Sequence, residues 1–108
     1  MRSVNGLFVV EVEENLHLDY LFSGPPSIVI FFRHQRGLNG HLLRRYLDDL
    51  DTSKVRVVYL VDVERNWSLV ERLNVQFNPT TIRFDSRREV KRVVGLPPPK
   101  VFAGRLGL

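Results

Sequence analysis

The apolar positions of this chain change period along its length, and the changes mark out elements. Phe8-Val9-Val10-Glu11-Val12-Glu13 is rich in β-branched residues and predicts a strand. Glu14 to Phe22 carries Leu16, Leu18, Tyr20, Leu21 and Phe22 and predicts a short helix, which Ser23-Gly24-Pro25-Pro26 breaks. Ile28 to Phe32 is an unbroken apolar run. A strand with one solvated face alternates; this one does not, which predicts a central parallel strand buried on both faces. Leu38, Leu42, Leu43, Tyr46, Leu47 and Leu50 then recur at helical spacing, opposite His41, Arg44, Arg45, Asp48 and Asp49, and Asp51-Thr52-Ser53 ends the helix. Val55 to Val63 is a second β-rich run. Asn66 is placed to cap a helix with Trp67, Val70 and Leu73 on one face, and Asn74 suits the left-handed position that closes it. Thr80 to Phe84 and Glu89 to Val94 predict a hairpin turning at Asp85-Ser86-Arg87-Arg88. Beyond Gly95-Leu96-Pro97-Pro98-Pro99, Lys100 to Leu106 predicts a short last helix.

The order is β-α-β-α-β-α-β-β-α, without an internal repeat or a linker. It predicts one α/β domain over residues 1–108, three-layered α/β/α, around a mixed sheet that is parallel in the middle and antiparallel at one edge.

Composition narrows the chemistry. The chain has no cysteine, which excludes disulfide scaffolds, Cys-ligated zinc and thiolate catalysis. Sixteen basic residues against twelve acidic ones give a net charge of +4, and only Lys54, Lys91 and Lys100 are lysines. That balance permits nucleic acid or an acidic protein surface as partner and demands neither. No apolar run approaches the roughly 18–20 residues of a membrane span, and Met1 to Gly6 opens no signal-peptide core. The expectation is a soluble cytoplasmic protein, with the nucleus as the alternative if the source is eukaryotic, and no membrane partner. Asn66-Trp67-Ser68 matches a glycosylation acceptor and is read as chance.

The stretch Asp62-Val63-Glu64-Arg65-Asn66-Trp67-Ser68-Leu69-Val70-Glu71-Arg72-Leu73-Asn74-Val75-Gln76-Phe77-Asn78-Pro79-Thr80 resembles the run D-V-D-E-N-P-x-L-A-x-K-Y-G-V-x-x-I-P-T of the thioredoxin family. The resemblance extends from about Leu7 to Gly95 and implies a thioredoxin-like fold. It sets Pro79-Thr80 on the family's cis-Pro-Thr and Gly95 on its glycine after the last strand. Arg36-Gly37-Leu38-Asn39-Gly40 then occupies the place of W-C-G-P-C, with Gly37 and Gly40 where the two cysteines would stand. Phe31 and Val58 take the places of the family's buried Asp and its Lys partner. The resemblance therefore implies a member without dithiol chemistry and without a cofactor. A weaker similarity, in Phe31 to His34 and Tyr59 to Val63, points to the thioredoxin-like family of the spliceosomal tri-snRNP, which acts as a scaffold.

Three groups of residues are candidates for function. The first is the inherited surface: Arg36, Gly37, Leu38, Asn39, Gly40 and His41 with Phe77, Asn78 and Pro79, expected to hold a protein partner. Pro79 serves either to fix the loop or, with an exposed edge nearby, to accept an extended peptide. The second is a basic set, Arg33, Arg87, Arg88, Lys91 and Arg92, with Arg83 beside it. It reads as an anion or nucleic-acid stripe, or as charge that protects an edge strand from aggregation. Free N–H groups at the start of the Gly37–Gly40 helix favour anions; the glycines equally well serve only to turn the chain. The third is Trp67, which stands where the family often has a helix-starting proline; with Phe77 it is one of the two aromatics read as semi-exposed, and packing at the base of the third helix is the reading favoured over a partner contact. His17, His34 and His41 form no metal pattern, and the carboxylates do not pair for acid–base work. A non-enzymatic adaptor is the first expectation and a ribonucleoprotein scaffold the second. Small-anion binding and self-association stay open.

Overall fold

The computed structural model describes residues 2–12, 18–33, 40–77, 79–85 and 88–108. Its elements in chain order are β1 (Arg2–Val4), β2 (Leu7–Val12), α1 (Leu18–Ser23), β3 (Ser27–Phe32), α2 (Gly40–Asp48), β4 (Val57–Asp62), a 3-10 turn (Val63–Arg65), α3 (Trp67–Arg72), β5 (Thr80–Asp85), β6 (Arg88–Val94) and α4 (Pro99–Leu106). The six strands form one sheet in the order β1-β2-β4-β3-β5-β6. β4 runs parallel to β2 and β3, whereas β5 is antiparallel to β3 and to β6. Helices cover both faces, as parallel crossovers require.

β3 is central, and its first five residues are buried, which explains the absence of alternation in Ile28 to Phe32. The pleat sorts its side chains. Ile28 and Ile30 face α2 and α4, packing with Leu43, Leu47, Phe102 and Leu106. Val29 and Phe31 face α1 and α3, packing with Leu21, Leu69, Val70 and Leu73. Edge-to-face ring pairs stitch each layer: Tyr46 with Phe102 at 5.0 Å, Phe22 with Phe84 at 5.7 Å. The Tyr46 hydroxyl also donates to the carbonyl of Pro97 at 2.6 Å and so ties α2 to the entrance of α4.

Two expectations are corrected here. The sheet has a strand before the first predicted one and is antiparallel at both edges, not one. β1 pairs with β2 through a two-residue turn at Asn5-Gly6, where φ is +52° and +80°. Two consecutive positive φ values are what a type I′ hairpin demands, and Asn-Gly is the pair that tolerates them best. The Asn5 amide also donates to the carbonyls of Leu47 and Asp48, satisfying the end of α2. The second correction concerns Phe31 and Val58. Both are fully buried. Phe31 pairs with Val61, however, while Val58 pairs with Ile28 and lies in the cluster on the opposite face. They replace no contacting pair.

Candidate functional site

The site is built where β4 leaves the sheet. Asp62 is buried and its carboxylate accepts from the Glu64 N–H at 2.9 Å, starting the 3-10 turn. Asn66 follows as the residue before α3, in the capping position, but its side chain does not cap. Its amide turns inward instead and donates to the Asp62 carbonyl at 3.0 Å, where the residue is 4% exposed. A buried, hydrogen-bonded amide is no glycosylation acceptor, in keeping with chance as the origin of that motif.

This placement corrects the reading of α3. The inward stripe is Asn66, Leu69, Val70 and Leu73, an i, i+3, i+4, i+7 set. Trp67 lies one residue, about 100°, around the helix from Asn66. It does not pack at the helix base; it is 65% exposed. Asn74 closes the helix at φ +53°, as its type predicts. The chain then runs through Val75, Gln76 and Phe77 towards β5. Phe77 is 62% exposed, and its carbonyl accepts from the Thr80 hydroxyl. The Gly95 N–H donates to the Pro79 carbonyl at 2.8 Å, and Gly95 has φ +81°. Two hydrogen bonds thus hold the loop against both strands of the hairpin.

Two hollows result, and Gln76 and Phe77 line both. The first, about 150 Å³, has Val63, Val70 and Val75 as apolar lining with Trp67 and Phe77. Arg33, Glu64 and Gln76 complete it, and Arg33 lies 3.6 Å from Glu64 in a half-exposed ion pair. The second, about 210 Å³, is lined by Asn74, Gln76, Phe77, Thr80, Arg92 and Val94. Val94 is 52% exposed.

The structure thus joins Arg33 to Phe77, two candidates the sequence had placed in different groups. His41 is exposed on the first turn of α2, which Gly40 opens. Arg36, Gly37, Leu38, Asn39, Asn78 and Arg87 lie outside the described residues, as does the Asn78–Pro79 bond. Val63, Val75, Asn74 and Val94 were missed as lining residues. The available signal was Val75 and Phe77, two apolar residues between a helix stop and a strand, where a loop is ordinarily polar.

The described basic residues of the hairpin are held in different ways. Arg92 is turned back onto the protein. Its guanidinium donates to the carbonyls of Leu73 at 2.6 Å and Asn74 at 3.0 Å, and makes a two-point contact with Glu89 at 2.8 and 3.0 Å. It adds to the cap that Asn74 already gives α3 by taking up the next two carbonyls. Arg83 donates to the carbonyls of Leu106 and Gly107 at the end of α4. Arg88 and Lys91 remain exposed. The ladder supports edge protection: Arg83 pairs with Lys91 and Phe84 with Glu89, leaving Val90 as the extra residue of a bulge. The opposite edge, β1, has only three residues.

Among the described residues, no three His, Asp or Glu side chains cluster as metal ligands, and no helix is long and apolar enough to cross a membrane.

No family model and no curated protein matches this sequence. Solved structures do. Thioredoxin from Trypanosoma brucei brucei superimposes with a TM-score of 0.71 at 20% identity, covering 99% of this chain and 94% of that one. Thioredoxin from Schistosoma mansoni gives 0.69 at 19% identity, covering 95% and 96%. A point variant of thioredoxin from Halobacterium salinarum gives 0.68 at 20% identity, covering 96% and 91%. The class is thereby defined: a thioredoxin-like α/β fold with a mixed six-stranded sheet and helices on both faces. The similarity is one of fold, carried by a chain that has no cysteine.

Proposed function

We propose that this chain is a non-enzymatic, thioredoxin-fold module that binds another protein, an adaptor working through the surface around Phe77 and Pro79. The observation that carries the reading is the hollow that Trp67 and Phe77 line, two rings left mostly in solvent beside Val63, Val70 and Val75 and the polar Arg33, Glu64 and Gln76. Exposed large aromatics are the usual anchors of protein interfaces. Dithiol exchange needs a nucleophilic and a resolving thiol, and the chain carries neither. The sequence adds Leu38 and His41 to the candidates for this role.

The test is affinity capture from a lysate of the source organism, with and without nuclease, using the native chain and Phe77→Asp. Nuclease-resistant capture of a protein, lost in the variant, supports the adaptor role. Capture that nuclease abolishes and Phe77→Asp leaves intact would instead favour the ribonucleoprotein scaffold. Recovery of the bait alone would sink both and leave self-association or a small ligand.

A further inference from the structure

The sheet is closed unequally on its two faces. β1, β2 and β4 turn Val4, Leu7, Val9, Val58 and Leu60 into the cluster with α2 and α4, and all of these are buried. The residues between them face the other way. The ladder pairs Phe8 with Val57 and Val10 with Tyr59, so these side chains share the α1/α3 face. The buried strand residues of the cluster on that face come from β3, β4 and β5, and none from β1 or β2. Phe8 is 48% exposed, and Val10, Val57 and Tyr59 are half-buried. Ser3, opposite Phe8 on β1, is small and exposed.

A strand with one face in solvent carries polar side chains on that face. This strip carries Phe, Val, Val and Tyr instead. We infer that it is a docking surface for one amphipathic helix of a partner protein, acidic at the rim of its apolar stripe, which extends the α1/α3 layer over β2.

Three observations select that occupant. The first is the backbone. β2 is paired with β1 and β4, and β4 with β2 and β3. Their N–H and C=O groups are engaged within the sheet, so a segment lying on this face finds no backbone partner there. A helix bonds its own N–H and C=O groups internally and needs none. An extended segment does not.

The second is area. A Phe or Tyr side chain presents about 150–250 Å² when bare, so Phe8 offers about 100 Å² and the strip roughly 300 Å² at most. A stable dimer needs about 800 Å² from each partner. The strip is too small for a second copy and suits the few side chains that one helix sets down.

The third is charge. Phe8, Val10, Val57 and Tyr59 carry none. Arg56 borders them: its carbonyl accepts from the Phe8 N–H at 2.9 Å, and the residue is exposed. The whole chain carries +4. Both favour carboxylates on the flanks of the docked helix.

This surface is separate from the one around Phe77. Val57 opens β4, whereas Val63, in the hollow with Trp67 and Phe77, follows its end, about 20 Å away along the strand. Joining two proteins requires two such surfaces.

The probe is a display library of amphipathic helices about five turns long, randomised on both faces and selected against the full chain. Enriched helices are synthesised and titrated into isotope-labelled protein, and NMR amide shifts give both the site and the Kd. The native chain is compared with Phe8→Lys, Arg56→Glu and Phe77→Asp, and circular dichroism checks the fold of each.

The expected result is enrichment of helices with one apolar stripe and a net negative charge, whose main shifts on the native chain fall at Phe8, Val10, Val57 and Tyr59. Phe8→Lys should weaken binding about tenfold, as loss of an anchoring aromatic does. Arg56→Glu should weaken it about threefold, and Phe77→Asp should leave it unchanged. The shift map is read on the native chain, so it decides the site even where Phe8→Lys fails to fold. Helices that shift Val63 to Phe77 instead, and that Phe77→Asp releases, would overturn the inference and leave the proposed binding role standing. Enrichment of basic helices, or none above that on an unrelated protein, would overturn it as well. Shifts at Phe8 and Val57 that grow with protein concentration alone would make the occupant a second copy and overturn it too.

Discussion

The β5–β6 hairpin and the stretch from Val63 to Phe77 both advertise function in sequence, one through arginines and the other through aromatics. In the fold they behave oppositely. Arg92 and Arg83 direct their guanidinium groups to the ends of α3 and α4, where unpaired carbonyls need donors. Trp67 and Phe77 expose more than half their surface, although apolar rings gain most from burial. Residue type signals capacity. Whether that capacity is engaged inside the protein separates a structural side chain from one left for a partner.

The largest effect tests this within α3. Leu69 is 3% exposed among Val29, Phe31 and Val70, and Leu69→Ala should cost about 3 kcal/mol in chemical denaturation. Trp67→Ala, two residues away, should stay within about 0.5 kcal/mol. A Trp67→Ala cost approaching that of Leu69→Ala would make the exposed ring part of the core and dissolve the contrast.

A smaller effect tests the hairpin. Arg92→Ala removes charge-assisted bonds to two helix-end carbonyls and to Glu89. It should cost about 2 kcal/mol, given about 1.5–3 kcal/mol for hydrogen bonds to charged groups. Lys91→Ala, adjacent and exposed, should lie within about 0.5 kcal/mol. Equal costs for the two would return Arg92 to the solvent-facing stripe that the sequence suggests.

These cases show what was legible. The fold rested on periods that tertiary packing does not override: the unbroken run of Ile28 to Phe32, the stripe from Leu43 to Leu50, and the punctuation at Asn74 and Gly95. β1 escaped because three residues carry no readable period; its signal lay wholly in the Asn5-Gly6 turn. Within the site, Phe77 was legible as a large ring beside Pro79. Trp67 was misplaced because an apolar residue at i, i+3 from Val70 looks inward, and nothing in a sequence announces that a polar Asn66 will take the inward position by bonding Asp62. The second hollow was illegible for a simpler reason. Asn74, Phe77 and Val94 meet only because β6 returns beside β5, a contact across roughly twenty residues of chain.

Asp51 sharpens the criterion, since its carboxylate is both solvent-facing and engaged. It accepts from the Ser53 hydroxyl at 2.6 Å and the Ser53 N–H at 3.0 Å, with Lys54 at 3.9 Å. The Ser53 hydroxyl first, then its N–H, hold the carboxyl below its ordinary value of 3.8; slight burial opposes them, and Lys54 and Arg83 add attraction. Because the folded value is depressed, the stabilisation is present above the unfolded value and disappears as pH falls through the folded one. The stability difference between the native chain and Asp51→Asn should therefore be constant above about pH 5 and shrink below 3.8. Denaturant midpoints across that range, with the Asp51 carboxyl followed by NMR, measure it. A difference that stays constant down to about pH 2 would show that the turn at Asp51 does not use its charge. Exposure would then suffice to separate structural from available groups, and the hairpin arginines would be the exception that engagement alone explains.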